Sequence, residues 1–339
     1  MTYFITGGAG FIGSTFVKKA LSSGKRIVNL DALTYAGSVN NLEGVTEGEN
    51  YRFIHASITD LKTVSQVFDD YQPIVVVNFA AESHVDRSIE SSRTFIDTNI
   101  VGTHNMLEAA RSYWNGLTQQ AQTQFRFLQI STDEVFGSLC ENEASFSEDS
   151  NYAPNNPYAS SKASADHLVR AYNKTYGLPT LTTNTSNNYG PFQLAEKLIP
   201  MTINNALRGV SIPIYGNGKQ KRDWLHVDDH CDALNDVIEN GRPGEKYNVG
   251  AKNEIQNIDL VERICDMLDE MHPRSTCRYK DLIEFVVDRP GHDQRYAIDS
   301  RKIESELGWK PKTEFTTGLR HTVAWYLYQF QNRNRNFEK

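Results

Sequence analysis

The chain has 339 residues, of which 39% are hydrophobic and 23% charged, with a formal net charge of -7. That is an ordinary globular mixture, long enough for one large domain or two modest ones sharing an interface. The acidic balance argues against a nucleic-acid or membrane-surface partner, while leaving room for an anionic small molecule in a local basic pocket. The longest largely apolar runs are about six residues, such as Ile74 to Phe79 with its one polar residue, Asn78, far short of the ~18–20 that a membrane span needs. The N-terminus opens directly into a strand, so no signal peptide is expected. Cys140, Cys231, Cys265 and Cys277 show no C-x-x-C spacing, which points to free thiols in a reducing cytoplasm and not to a metal site.

In chain order, Tyr3 to Thr6 reads as a short strand followed by glycines and a helix from Phe11. Arg26 to Leu30 is a second strand ending at Asp31, and Tyr51 to Ala56 a third, before a helix over Leu61 to Tyr71. Ile74 to Phe79 has the continuous apolar character of a strand buried on both faces. A long helix is expected over Thr94 to Tyr113, with Ile96, Ile100, Thr103, Leu107 and Ala110 on one stripe. Phe125 to Ser131 is the next strand, and Pro157 opens a helix to about Tyr176. This alternation predicts an α/β protein with a Rossmann-type, doubly wound parallel sheet. After Tyr189 the rhythm breaks into turns such as Tyr215-Gly216-Asn217-Gly218 and Arg289-Pro290-Gly291-His292. We therefore expect a dinucleotide-binding domain over residues 1–188 and a smaller, mainly substrate-binding lobe over 189–339, some of whose segments return to the main sheet.

Gly7-Gly8-Ala9-Gly10-Phe11-Ile12-Gly13 contains G-x-G-x-x-G between a strand and a helix. Glycine is needed at Gly7, Gly10 and Gly13 because side chains would keep the backbone from a pyrophosphate, and the helix N-terminus offers free N–H groups. Asp31 lies 18 residues beyond Gly13, near the spacing of a carboxylate that binds ribose hydroxyls. It favours NAD over NADP, whose 2′-phosphate it would repel.

Tyr158-Ala159-Ser160-Ser161-Lys162 sets a phenol and an ammonium on one helix face. A neighbouring cation favours phenolate, so Tyr158 is expected to have a lowered pKa and to act as a base, with Lys162 also placed to bond the nicotinamide ribose. With 16 tyrosines, one such spacing arises by chance, and a second does occur at Tyr215 to Lys219, but two glycines there oppose a helix. Asp133-Glu134 follows the strand Phe125 to Ser131, at the edge where open α/β sheets bind ligands. Adjacent carboxylates there supply an acid and a base for removing water, one being kept protonated by burial and repulsion. A dehydrogenase or an epimerase needs no such pair.

The segments ITGGAGFIG at Ile5, LTYAGSVNNL at Leu33, AAESHVDRSI at Ala80, TNIVGT at Thr98, STDEVFG at Ser131, NPYASSKASADHLV at Asn156, TSNNYGP at Thr185, EKLIP at Glu196, RDWLHVDDH at Arg222 and DRPGHDQRYAID at Asp288 cover nearly the whole chain. Together they resemble the dTDP-glucose 4,6-dehydratases of the extended short-chain dehydrogenase/reductase family. The resemblance implies a lyase that converts dTDP-glucose to dTDP-4-keto-6-deoxyglucose in deoxysugar nucleotide biosynthesis. NAD would take the C4 hydride and return it to C6. Tyr158 would deprotonate the C4 hydroxyl, Thr132 polarise the C4 oxygen, Glu134 remove the C5 proton and Asp133 protonate the departing C6 oxygen. Cofactor contacts are implied at Phe11, Ile12, Asp31, Leu33, Thr34, Ser57, Ile58, Phe79, Ala80, Ala81, Ser83, Thr98 and Asn187. Substrate contacts are implied at Ser83, His84, Asn187, Lys197, Leu198, Pro213, Tyr215, Arg222, Asn257, Arg289 and His292, the two arginines suiting a diphosphate. The resemblance also implies a homodimer packed through a four-helix bundle of the helices near Thr94–Tyr113 and Tyr158–Tyr176.

Ala32 stands where the family usually has Lys, and Ser57 where it usually has Asp; Asn184-Thr185 and Leu194-Ala195 also differ. Other readings are a 4,6-dehydratase of another nucleotide sugar, a 4-epimerase, or a catalytically dead binding module. The i, i+4 pair His226 and His230 has a metal-like spacing, but the family reaction needs no metal and none is expected.

Overall fold

The computed structural model describes residues 1–337. The strands are β1 (Thr2–Thr6), β2 (Arg26–Asp31), β3 (Tyr51–His55), β4 (Val75–Asn78), β5 (Arg126–Thr132), β6 (Thr180–Thr185), β7 (Asn187–Tyr189), β8 (Ile212–Tyr215), β9 (Lys221–His226), β10 (Lys246–Val249), β11 (Glu254–Gln256) and β12 (Ile283–Val286). The helices are α1 (Phe11–Ser22), α2 (Leu61–Tyr71), α3 (Val85–Glu90), α4 (Arg93–Phe95), α5 (Thr103–Asn115), α6 (Gln119–Gln124), α7 (Pro157–Tyr176), α8 (Leu198–Arg208), α9 (Val227–Asn240), α10 (Asn257–Met271), α11 (Arg301–Leu307) and α12 (Phe315–Phe337).

A seven-stranded parallel sheet, ordered β10-β6-β5-β4-β1-β2-β3, organises the molecule. The chain winds outward one way through β2 and β3 and the other way through β4, β5 and β6. The order therefore reverses between β1 and β4, where the loops diverge and leave a crevice at the carboxyl edge. Every residue of β4 is buried, as its Val75-Val76-Val77 run requires between two helical layers.

β6 has no counterpart in the sequence reading. Its Thr-Leu-Thr-Thr-Asn-Thr composition carries little hydrophobic signal, yet all six residues are buried. The helical stripe drawn over Ile96 to Ala110 is also corrected. A π-helical segment, Ile96–Gly102, joins α4 to α5, and its wider turn rotates the stripe out of phase. Leu107 and Ala110 are fully buried, but Ile96 is 44% exposed.

α9 and β10 lie beyond residue 189 but pack with the main sheet, where Val227, Leu234, Tyr247 and Val249 join Ile5, Leu128 and Leu181 in one core. A second core, built from Ile203, Ile214, Trp224, Ile264 and Leu319 among others, belongs to the smaller lobe.

Candidate active site

The cofactor turn is dictated by close backbone approach. Gly7 has φ +69°, and a Cβ there would lie 2.7 Å from the Ala80 nitrogen; one on Gly13 would lie 2.3 Å from the Gly7 carbonyl oxygen. Gly10 is the N-cap of α1 and no side chain caps the helix. Gly10, Phe11, Ile12 and Gly13 thus bring an uncapped helix start to the wall of a cleft of about 320 Å³. Asp31 ends β2 on the same wall. Its carboxylate accepts from the backbone N–H groups of Ala9 and Leu33, both at 2.8 Å. Burial nonetheless raises its pKa, the two amides opposing the rise. Leu33, in the left-handed region at φ 49°, is not among the residues that line the cleft. Thr34, Ser57, Ile58, Phe79, Ala80, Ala81, Ser83, Thr98 and Asn187 all line the cleft. Uncapped N–H groups, side-chain-free glycines and a carboxylate at the second strand fit a dinucleotide.

The π segment positions the middle of the cleft. Buried Asn99 accepts from the Glu82 N–H at 2.8 Å and donates to the Glu82 carbonyl at 3.0 Å and to Ser161 Oγ at 2.8 Å. This clamps the loop after β4 to α7, while Thr98, one residue earlier, faces the cleft.

α7 starts where the sequence says it must. Asn156 accepts from the Ala159 N–H at 2.8 Å, Pro157 takes the first turn, and Gly177 ends the helix at φ +76°. Tyr158 and Lys162 therefore share a face, and both line the cleft with Thr132, Asp133 and Glu134. β5 runs straight into a short turn, Asp133–Phe136, whose Glu134 N–H donates to Thr132 Oγ1 at 3.3 Å. Asp133 is 2% exposed and its Oδ2 has no hydrogen-bond partner. Burial, then repulsion from Glu134 and Asp223, pushes its pKa well above the usual carboxylate range, so it carries a proton where a free aspartate would not. The phenol of Tyr158 departs from the sequence expectation. Burial and then Glu134 push it well up, against a hydrogen bond with Thr132. The ammonium of Lys162 is instead turned to the Ile130 carbonyl, to which it donates at 2.6 Å.

The residues expected to grip substrate divide into two groups. Ser83, Asn187 and Lys197 line the same cleft, with Lys197 Nζ donating to the Ser83 carbonyl at 3.0 Å. The others sit beyond it. His84 caps α3 and lies 3.5 Å from Glu196. Arg289 Nη1 bonds Asp86 at 3.2 Å, and Tyr215 donates to the same carboxylate at 3.4 Å. His292 pairs with Asp288 at 2.6 Å. Arg222, 5% exposed, stacks on Tyr296 at 4.2 Å and donates to the carbonyls of Lys221 and Asp293. Pro213 lies in β8, Leu198 opens α8 and Asn257 opens α10, its Oδ1 buried without a partner.

The family model described as GDP-mannose 4,6 dehydratase matches residues 4–322. The chain is 52% identical to dTDP-glucose 4,6-dehydratase of Salmonella typhimurium, covering 98% of this chain and 94% of that protein. It is 54% identical to the enzyme of that name from Xanthomonas campestris pv. campestris, covering 96% and 93%. A crystal structure of dTDP-glucose 4,6-dehydratase from Streptomyces venezuelae with NAD bound superposes with a TM-score of 0.88 at 40% identity, covering 98% of both chains. The chain belongs to this family of nucleotide-sugar 4,6-dehydratases.

In this 4,6-dehydratase the sequence reading overlooked groups that bear on the acid pair. Tyr296 donates to Asp293 at 2.5 Å and reaches Glu134 Oε2 at 3.5 Å, while Asn156 reaches the same oxygen at 3.4 Å. Tyr296 lies within the DRPGHDQRYAID segment, but nothing in that string says that its ring crosses to β5. Tyr35 accepts from the Ser83 N–H at 3.3 Å and lies under Arg87 at 4.0 Å. The pair His226 and His230 does not converge: His226 caps α9, whereas buried His230 bonds Asn188 at 2.9 Å. Among the described residues no cluster of potential metal ligands occurs.

Proposed function

We propose that this 4,6-dehydratase converts dTDP-glucose to dTDP-4-keto-6-deoxyglucose and water, with NAD as its resident cofactor. The observation that carries the reading is the convergence of Thr132, Asp133, Glu134, Tyr158 and Lys162 on one cleft wall beside the glycine turn. NAD, when bound, supplies a hydride acceptor at C4 and a donor at C6, so it is restored at each turnover. Gly7, Gly10, Phe11, Ile12, Gly13 and Asp31 hold it, and the cleft-lining residues from Ser57 to Asn187 complete its bed.

Tyr158 acts as phenolate: the positive charge of bound oxidised NAD would favour loss of the phenol proton that burial otherwise retains, and Tyr158 Oη then receives the proton of the sugar C4 hydroxyl while the Thr132 hydroxyl donates to the resulting carbonyl oxygen. That carbonyl acidifies the C5 hydrogen, which otherwise is far too weak an acid for a carboxylate. Glu134 takes the C5 proton, and protonated Asp133 gives its own to the C6 oxygen, which leaves as water; when the hydride is returned to C6, Glu134 gives its proton back to C5. Lys197, Arg222, Arg289 and His292 gather cationic and donor groups for the diphosphate. His84, Leu198, Pro213, Tyr215 and Asn257 frame the nucleoside end. Residues 1–188 act as the NAD-binding unit and 189–339 mainly as the nucleotide-sugar lobe.

The enzyme works as a homodimer in the cytoplasm. Ile96, Val101 and Tyr176 are 44–46% exposed along the π segment and α7, which supports a four-helix bundle between copies. Four free cysteines suit a reducing compartment. Among the described residues, no helix is long and apolar enough to cross a membrane.

The test is a panel of nucleotide glucoses given to purified enzyme without added cofactor, with product followed by the alkali-induced absorbance of a 4-keto sugar. Turnover of dTDP-glucose is expected. A 4-epimerised sugar with no 4-keto product would overturn the reading.

A further inference from the structure

We propose that Asp166 is a positioning residue for Lys162: a buried carboxylate one turn along α7 that holds the ammonium charged and turned to β5. The proposal rests on the reading of the site given above, in which Lys162 serves the nicotinamide end of the cleft.

Lys162 and Asp166 are each 4% exposed. An ammonium in so dry a place is driven towards its neutral form unless a counter-charge lies near. Its one hydrogen bond, to the Ile130 carbonyl at 2.6 Å, supplies a dipole but no charge. Asp133 and Glu134, on the turn packed against α7, act on Tyr158; the charge that acts on Lys162 is Asp166. No carboxylate forms a contact ion pair with Lys162 among the described residues, so Asp166 works through space, from the next turn of the same helix.

Burial raises the Asp166 carboxyl, and Lys162 and three hydrogen-bond donors oppose that rise. Ser131 Oγ donates to its Oδ2 at 2.7 Å, the Tyr152 hydroxyl at 2.9 Å and Asn184 Nδ2 at 3.2 Å. Three donors on one oxygen stabilise the charged form, while Oδ1 has no partner. The donors come from β5, the loop before α7, and β6. The other ionisable groups around this carboxylate are Lys246 of β10, 4.8 Å over the Tyr152 ring, and His167, whose ring lies 5.3 Å from that of Tyr152. Asn184 also donates to the Thr132 carbonyl at 3.1 Å, so the same network fixes the strand end that carries the acid pair. With burial dominant and Asp166 opposing it, Lys162 sits at about 8. Removing the anion lowers that value further, and the ammonium is then lost at lower pH.

The experiment compares kcat against pH for the wild type, Asp166→Asn and Tyr152→Phe, alongside NAD affinity of cofactor-stripped protein at neutral and alkaline pH. In Asp166→Asn the alkaline limb of kcat should move acidward by roughly one unit, and NAD binding should weaken about ten-fold more at alkaline than at neutral pH. Tyr152→Phe, which removes one donor and keeps the ring, should give a smaller shift in the same direction. Loss of activity by one factor at every pH, with NAD binding equally pH-dependent in all three proteins, would overturn the proposal. If Asp166→Asn does not fold, a wild-type limb in Tyr152→Phe overturns it. A wild type that binds NAD but does not turn over dTDP-glucose sinks the functional reading alone, because the NAD titration still tests Asp166.

Discussion

The carboxyl edge of the sheet and the lobe beyond it treat their charges in opposite ways. At the edge, Asp133 keeps an oxygen without a partner and Lys162 bonds a carbonyl and not a carboxylate. Across the cleft, Arg289 is paired with Asp86, His292 with Asp288 and His84 with Glu196. The contrast assigns tasks. Asp133, the proposed proton donor, is kept unpaired and dry, so that its pKa is displaced and its next partner is the reacting atom. A group that must grip an anion can rest on a protein carboxylate and exchange it for phosphate. The first arrangement puts binding energy into kcat, the second into KM.

The largest expected break of this contrast is Asp133→Asn. It leaves the shape of the turn and removes the proposed proton donor to C6, so kcat should fall by ~10²–10⁴-fold with KM changed little. A comparable rise in KM at constant kcat would place Asp133 with the gripping groups instead. Next in size is Gly13→Ala. Its Cβ would come within 2.3 Å of the Gly7 carbonyl oxygen and 2.9 Å of the Gly8 Cα. Because both neighbours are backbone, the turn must shift, and the purified protein should carry less than about a tenth of the wild-type NAD. Full cofactor content, measured by absorbance after denaturation, would show that the turn yields without loss.

How far these regions are legible in sequence follows the same division. The edge is written in local rules: a strand, three glycines and a helix start; Pro157 at the start of α7; Asp31 at a strand end. Each is a short-range constraint, and each lies where its pattern placed it. The phase of the helix over Ile96 to Ala110 was not legible, because a π turn leaves no mark in an apolar count. Nor was β6, whose threonines are buried by neighbours far away in sequence and not by their own hydrophobicity. The approach of Tyr296 to Glu134 spans 162 residues and rests on backbone bonds that Leu139 and Phe146 donate to the carbonyls of Arg295 and Ala297. The direction of the Tyr158 shift was not legible either, because burial and then Glu134 set it, and spacing on a helix fixes a shared face but neither of these.

Arg289→Ala sharpens the contrast from the other side. The guanidinium is 23% exposed and already partnered by Asp86, so in its proposed role substrate binding exchanges one anion for another. The loss should be about 10–100-fold in KM with kcat nearly intact, and inhibition by dTDP should weaken in parallel. A matching loss in kcat would mean that this arginine acts on the transition state and that the division between edge and lobe is too sharp.

The smallest effect is on stability, and it returns to Asp133. Its folded pKa is raised by burial and by Glu134, so the native state holds the proton more tightly than the unfolded chain does. The neutral side chain is favourable below the unfolded value of about 3.9, and that contribution is lost progressively as pH rises through the window up to the folded pKa. Asn at this position never has to ionise. Asp133→Asn should therefore melt about 2 °C or more above the wild type at pH 8, with the gap closing towards pH 4. Thermal melts of both proteins across that range decide it. A gap that is constant with pH would mean that the substitution acts through packing, and one that widens towards acid would mean that Asp133 is ionised in the folded enzyme.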